Sequence, residues 1–443
     1  MNINWEELSS DERLEEMFRA WLSPEGVEFV SPEAEEAYKQ RITRVRDALQ
    51  LRVSDRVPYI PLYGLFPAHY AGMTVEEVMY DYDKAHQAWK KTVLALGPDL
   101  YVNISIAYSA LVFELIGYKQ IKVPGKQLAD PKLTYQFIED EYMRADEYDE
   151  FIADPTDFML RRYYPRAFSE LEPLQKLLPL RTGMWTCWFD LLAPFGDPQV
   201  AEALDSLVRA GQELVKWYGA IGKFDKEIQG LGYPNMLGCL TFAPFDLIGD
   251  SLRGTRGIML DMLRIPDKLL EALEKMTPFA IEIGIRAARA LRNPMVLIPL
   301  HKGAAGFMSD KQFRTFYWPT LKELILALDE AGVIPYVYTE GDYTPRLEYL
   351  VDVPKGKVLY HFETVDIYKA KELLGDVACI SGNVPLSLLQ TGTAQQVKDY
   401  VKELIDVVGK GGGLMVDAAA GFDDVPPENV KAMGDATKEY GVY

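Results

Sequence analysis

Two of the chain's four histidines stand at the ends of short apolar runs, and several carboxylates do the same. MVLIPL (295–300) leads into His301-Lys302-Gly303, IPYVYT (334–339) into Glu340-Gly341-Asp342, and KVLYHF (357–362) carries His361 just before Glu363. VACIS (377–381) is followed by Gly382-Asn383, and GLMVD (413–417) ends on Asp417. A neutral imidazole joined by two or three carboxylates makes a nitrogen and oxygen donor set suited to zinc or another divalent ion. Glu340, His361 and Asp417 are therefore the candidate metal ligands. Adjacent parallel strands lie about 4.8 Å apart, so Glu340 and His361 can converge, whereas Asp417 must reach across. A plainer reading stays open, in which Glu340 and His361 cap their strands, His361 packs between Tyr360 and Phe362, and Asp417 caps a helix. No HExxH pattern decides between them. His301 is a candidate donor toward substrate or a partner of the neighbouring loop. Tyr338 shares a side with Glu340 by the period-two rule and is a candidate proton donor, or a buried tyrosine with a backbone partner. Asn383 is ambiguous, and His69 and His86 fall outside the group.

These residues need a scaffold that brings strand ends together. Two earlier apolar runs, VPYIPLYG (57–64) and LYVNISI (100–106), join MLGCLTFA (236–243) and the five above to make eight. They alternate with helical segments, and nearly all-apolar strands imply a parallel sheet covered on both faces. The expected fold is an α/β, TIM-type (β/α)8 barrel with its active site at the C-terminal strand ends. Residues 1–50 read as an N-terminal helical extension of amphipathic helices outside the main core, and residues 51–443 as the barrel. An insertion at about 119–183 lies over one barrel end and opens with a short hairpin in KQIKVPGKQL. A doubly wound sheet lacks its GxGxxG fingerprint here. The run Gly409, Gly411, Gly412 and Gly413 precedes a strand, which marks a turn and not a phosphate cradle.

Composition narrows the partners. Acidic residues number 66 against 47 basic ones, for a formal charge of −19, which opposes attraction to nucleic acid or anionic membranes. A small molecule or a protein is the expected partner, and homo-oligomerisation is left open. The 26 Tyr and 19 Phe supply an apolar pocket, to which Trp185 and Trp188 contribute. Three scattered cysteines fit no disulfide framework or CxxC pattern, so a reducing cytoplasm is the natural setting. The acidic start lacks a signal-peptide succession, and the long uncharged stretch 57–73 is broken by Pro58, Pro61 and Pro67, against a membrane helix.

The order of segments resembles the uroporphyrinogen decarboxylase superfamily, in particular its corrinoid-dependent methyltransferase branch. RVPYIPLYGLFPAHYAGMTVEEVMYD is similar to that family's first barrel segment, and GAAGFMSDKQFRTFYWPTLKELILAL to its serine-containing loop and following helix. ISGNVPLSLLQTGTAQQVKDYVKELI resembles its Gly-Asn strand end, and VPPENVKAM its final helix. The arginine-rich RQAGR type of motif of true decarboxylases is missing, as are the cysteines that hold zinc in the thiol methyltransferases. Tyr338-Thr339-Glu340-Gly341 and Asp417-Ala418-Ala419-Ala420 stand in their places. What remains resembles the methyltransferase component of aryl methyl ether O-demethylases. That resemblance implies an aromatic methyl ether substrate and zinc held by carboxylate and histidine, which suits Glu340, His361 and Asp417, with the metal stabilising the leaving phenolate; His301 and Tyr338 are the candidate donors beside it. No DxHxxG motif is present, because the residues two before the histidines are Pro67, Lys84, Pro299 and Leu359. The corrinoid is therefore expected on a separate protein. A tetrapyrrole decarboxylase and a non-catalytic corrinoid- or ligand-binding protein are the alternatives.

Overall fold

The run Ile334–Thr339 is buried at all of its positions, as a strand with helices on one side and a barrel interior on the other must be. It pairs in parallel with Met295–Leu300 on one side and Leu359–Phe362 on the other. The computed structural model describes residues 5–443. Six strands follow one another in chain order in a parallel sheet, from Cys239–Leu240 to Cys379–Gly382 and Leu414–Met415.

Two extended segments close this sheet into a ring. The first, 57–63, lies against the eighth strand: Ile60 donates its N–H to the Val416 carbonyl (3.1 Å), and Val416 donates to that of Pro58 (2.8 Å). Asp99 then donates to Tyr59 (2.8 Å), and Met236 to Tyr101 (2.8 Å), while Gly238 donates to Met295 (2.8 Å). The eight-membered cycle is complete, as expected of a barrel. The expected strands at its seam are shorter than their apolar runs. Pro58 and Pro61 carry no N–H and thin the first ladder. Asn103 accepts the Ser105 N–H (3.0 Å) and turns Ile104–Ile106 into a 3-10 helix, which ends the second.

The two N-terminal helices, Ser10–Leu22 and Pro32–Leu49, start at the serine caps Ser9 and Ser31. They were expected outside the main core, but Leu14, Phe18, Trp21, Ile42 and Val45 are buried in the same apolar cluster as the barrel strands. The approach is close at Gly332, where a Cβ would lie 2.6 Å from Arg13 and where φ is +77°. The expected hairpin within 119–128 does not form. Ile121–Lys122 pairs instead with Gln136–Phe137, beyond the Pro124-Gly125 turn. Short helices from Ala145 to Lys176 follow and build a second small core of Leu171, Leu174 and Leu177 against Val200 and Ala203. The last two residues belong to the 33-residue helix Pro198–Gly230.

At the N-terminal end of the barrel, the fully buried Asp99 gathers several elements. It accepts from Arg44 Nη1 (2.6 Å), Arg56 Nη1 (2.8 Å) and the Tyr59 N–H (2.8 Å). Asp99→Ala would leave two shielded guanidiniums without this partner, and a buried ion pair broken on one side costs about 3–5 kcal/mol. The urea midpoint should fall accordingly with an unchanged m value; an unaltered midpoint would contradict this role for Asp99.

Candidate functional site

The C-terminal end of the barrel is organised by one short helix. Pro244–Ile248 follows the third strand and widens into the π-helical turn Gly249–Arg253, placing Asp246 and Asp250 one turn apart. Asp246 is completely buried and accepts three hydrogen bonds: the N–H groups of His301 (3.0 Å) and Lys302 (3.1 Å), and the Tyr317 hydroxyl (2.6 Å). Tyr317 stands on a second π-helical turn, Phe313–Tyr317. Asp250 meets His301 Nδ1 at 2.5 Å and also accepts from Lys302 Nζ, which donates to Glu139 Oε1 as well (2.6 Å). Gly249 admits the lysine stem, since a Cβ there would lie 2.9 Å from Lys302 Cδ. His301 Nε2 faces Glu340 Oε1 at 3.8 Å, and the Phe242 ring lies 6.0 Å from the imidazole.

These contacts set the charges. Burial disfavours a charged His301, but the Asp250 hydrogen bond and the carboxylates of Asp246, Asp250 and Glu340 outweigh it and raise the imidazole to about 9. Burial, reinforced by the neighbouring Asp250 charge, pushes Asp246 up to about 7. Burial also works to raise Asp250, yet its bonds to His301 and Lys302 hold it below the ordinary carboxylate value. Glu340 is raised, chiefly by burial. The result at neutral pH is an imidazolium whose Nδ1 is anchored and whose Nε2 is turned toward Glu340.

The remaining expected residues form a separate group inside the barrel. His361 and Asp417 are fully buried, with His361 Nδ1 at 3.5 Å from Asp417 Oδ2. His361 Nε2 meets the Ala419 carbonyl (3.1 Å), so it carries the proton, and Nδ1 accepts from the Tyr336 hydroxyl (3.3 Å). Burial lowers His361 to about 4 and raises Asp417 well above the usual carboxylate range. Both shifts favour the uncharged form, as burial without a counter-ion does. Asp417 Oδ1 accepts from the N–H groups of Leu62 (2.9 Å) and Ala418 (2.6 Å), joining the eighth strand to the first segment, so it is not a helix cap. Tyr338 packs edge-on against the His361 ring, centroids 4.7 Å apart.

The expected zinc ligands are therefore divided, Glu340 with His301 and His361 with Asp417. Among the described residues no group of three or more His, Cys, Asp or Glu side chains is arranged to hold a metal ion. The set Glu340, His361 and Asp417 does not fit zinc in this arrangement. Asn383 is structural, donating to the Val365 carbonyl (3.2 Å) and accepting from Tyr400 (3.2 Å). Trp185 and Trp188 are exposed, the former at 89%. Sequence reasoning placed His301 at the mouth but missed Asp246, Asp250, Lys302 and Tyr317. The available signal was the pair of aspartates four apart just beyond the third apolar run.

Because the folded-state value of His301 is raised, its contribution to stability is complete below about pH 6.5 and is lost as pH rises through about 9. Asp250→Asn should bring the imidazole down toward its ordinary value and flatten stability across that window. Nitrogen NMR of the imidazole and urea titrations at several pH values check both. A His301 that titrates alike in both proteins would refute the assignment.

The chain has relatives among known proteins. The sequence profile described as uroporphyrinogen decarboxylase (URO-D) matches residues 197–440. A uroporphyrinogen decarboxylase of Chlorobaculum parvum is 25% identical over 183 residues, 40% of this chain and 51% of that protein. One of Pseudoalteromonas atlantica is 33% identical over 78 residues, 17% of this chain and 22% of that protein. The matches thus span about half the length of the first relative and less of the second. A solved methyltransferase from Methanosarcina mazei shares the fold, with a TM-score of 0.59 at 17% identity over 90% of this chain and 98% of that one. On the profile match, which covers more than half of its residues, this chain belongs to the uroporphyrinogen decarboxylase family.

Proposed function

We propose that this protein is a methyltransferase that takes the methyl group from a methoxylated aromatic, a phenyl methyl ether, and passes it to a corrinoid held by a separate protein. The observation that carries the reading is His301, an imidazolium fixed through Nδ1 by Asp250 at the C-terminal end of the barrel strands. The reduced cobalt of the partner's corrinoid supplies the nucleophile that accepts the methyl group. This chain then has to orient the ether and meet the charge that develops on the departing phenolate oxygen. His301 Nε2 donates to that oxygen, and Asp250 keeps the ring oriented while the proton moves. Lys302 and Asp246 hold the positions of this pair through the backbone and side-chain bonds described above. Phe242 beside His301 and Phe307 near Lys302 Nζ (5.7 Å) offer ring faces to an aromatic substrate.

The names of the curated relatives favour a second reading, decarboxylation of a tetrapyrrole. That substrate needs cations free to meet its carboxylates. Lys302 is held by Asp250 and Glu139, and Arg253 by Asp261, Glu141 and the Met143 carbonyl, which supports the methyl-transfer reading instead. The discriminating assay offers methoxyarenes with a reduced corrinoid protein in one arm and uroporphyrinogen in the other. Phenol release with methylation of the corrinoid protein is expected, reduced about 100-fold in His301→Gln. Carbon dioxide release from uroporphyrinogen without methyl transfer would replace this reading. Binding of either compound with no turnover would make the chain a ligand-binding protein.

A further inference from the structure

His301 and Lys302 compete for one carboxylate. Asp250 gives Oδ2 to the imidazole Nδ1, at 2.5 Å, and Oδ1 to the Lys302 ammonium. A second acceptor for that ammonium comes from far away in the chain: Glu139, 163 residues earlier, takes it on Oε1 at 2.6 Å. The Lys302 side chain is only 3% exposed, so little water reaches it and carboxylates must hold its charge.

Glu139 stands on a stretch of the insertion that is fastened to the π-helical turn Gly249–Arg253. Gln120 Nε2 donates to the Asp250 carbonyl (3.2 Å), and the N–H groups of Tyr142 and Met143 both donate to that of Leu252 (2.8 Å each). Arg253 donates to Glu141 and to the Met143 carbonyl. Glu139 itself is oriented by Thr255, whose N–H donates to Oε2 at 2.7 Å and whose hydroxyl donates to the same oxygen. Oε2 thus secures this stretch of chain, and Oε1 is left for Lys302.

An ammonium has three N–H groups and a carboxylate has two oxygens. With Glu139 in place, Lys302 divides its bonds and Asp250 keeps one oxygen for His301. Without that second anion, the ammonium would draw more fully on Asp250 and weaken its bond to the ring, and two neighbouring cations would lose one negative charge. Each change favours a neutral imidazole, because His301 is the weaker base of the two. Asp246 and Glu340 also face the ring, but neither is bonded to the ammonium.

We infer that Glu139 is a positioning residue for the acid: by taking a share of Lys302 it keeps Asp250 on His301, so the insertion completes the site at the barrel mouth. Only the kinetic consequence rests on the proposed methyl transfer; the imidazole reports Glu139 without turnover.

Nitrogen NMR of the His301 ring across a pH titration of the full chain is the primary test. Glu139→Gln, which keeps the shape and an oxygen but not the charge, should lower the midpoint by about one pH unit, and Glu139→Asp should recover part of that shift. Lys302→Met should raise the midpoint. Adding Glu139→Gln to Lys302→Met should then move it much less, because the ammonium that carries the effect is gone. Thr255→Val loosens the same stretch but leaves the Glu139 charge, so its midpoint should stay at the wild-type value. Single-turnover methyl transfer by Glu139→Gln should fall off at a pH lower by the same amount as the midpoint. A wild-type chain with no methyl transfer would refute the proposed reaction, while the NMR comparison would still decide the role of Glu139. An unmoved midpoint in Glu139→Gln, an equal fall with and without Lys302, or an equal fall in Thr255→Val would overturn the inference.

Discussion

Asp250 is the group on which the C-terminal end of the barrel depends. Successive residues of a strand point to opposite sides, yet His301 and Lys302, which follow the fourth strand, both reach this one carboxylate. They do so because Asp246, one turn earlier on the same helix, accepts both of their backbone N–H groups and bends the chain there. The π-helical turn that carries Asp250 is part of that geometry, since an extra residue in the turn shifts where the carboxylate lands. The cost of holding Lys302 in a shielded place is offset by Asp250 and Glu139 together, so charge and conformation are fixed by the same contacts.

The barrel interior below follows the opposite electrostatic rule. His361 and Asp417 have no counter-ion, which favours their uncharged forms; Tyr336, the Ala419 carbonyl and the Leu62 and Ala418 amides meet part of their polarity, while Asp417 Oδ2 has no hydrogen-bond partner among the described residues. Because Asp417 binds the backbone of the first segment, the seam of the barrel is closed by a side chain where Pro58 and Pro61 withhold their amides. The two polar groups thus differ in kind: one is held by ion pairs and partly open to solvent, and the other is sealed and has none.

Much of the barrel could be read from the sequence because runs such as 295–300 and 334–339 are apolar without interruption, the mark of strands buried on both faces. The seam segments at 57–63 and 100–102 were visible as apolar text, but their lengths were not, since proline and the Asn103 turn cut the pairing short. His301 was legible from its strand-end position alone. The pairing of Glu340 with His361 failed on register: His361 lies opposite Tyr338, so Glu340 sits two residues, about 6–7 Å, further along. Asp246 and Asp250 were hidden because the third strand pairs only at Cys239–Leu240, and its apolar run gives no sign of where the following helix aims its carboxylates. Trp185 and Trp188 show the limit of composition, which counts aromatic rings without saying which of them face a pocket.

The proposed methyl transfer turns on His301 as the acid that meets the leaving oxygen. The most direct measurement is the dependence of the single-turnover methyl-transfer rate on the acidity of the departing phenol, across a series of ring-substituted methoxyarenes. A donated proton removes most of the charge from that oxygen, so the wild-type protein should show a shallow dependence and His301→Gln a steep one. Equal slopes in the two proteins would contradict the role assigned to His301.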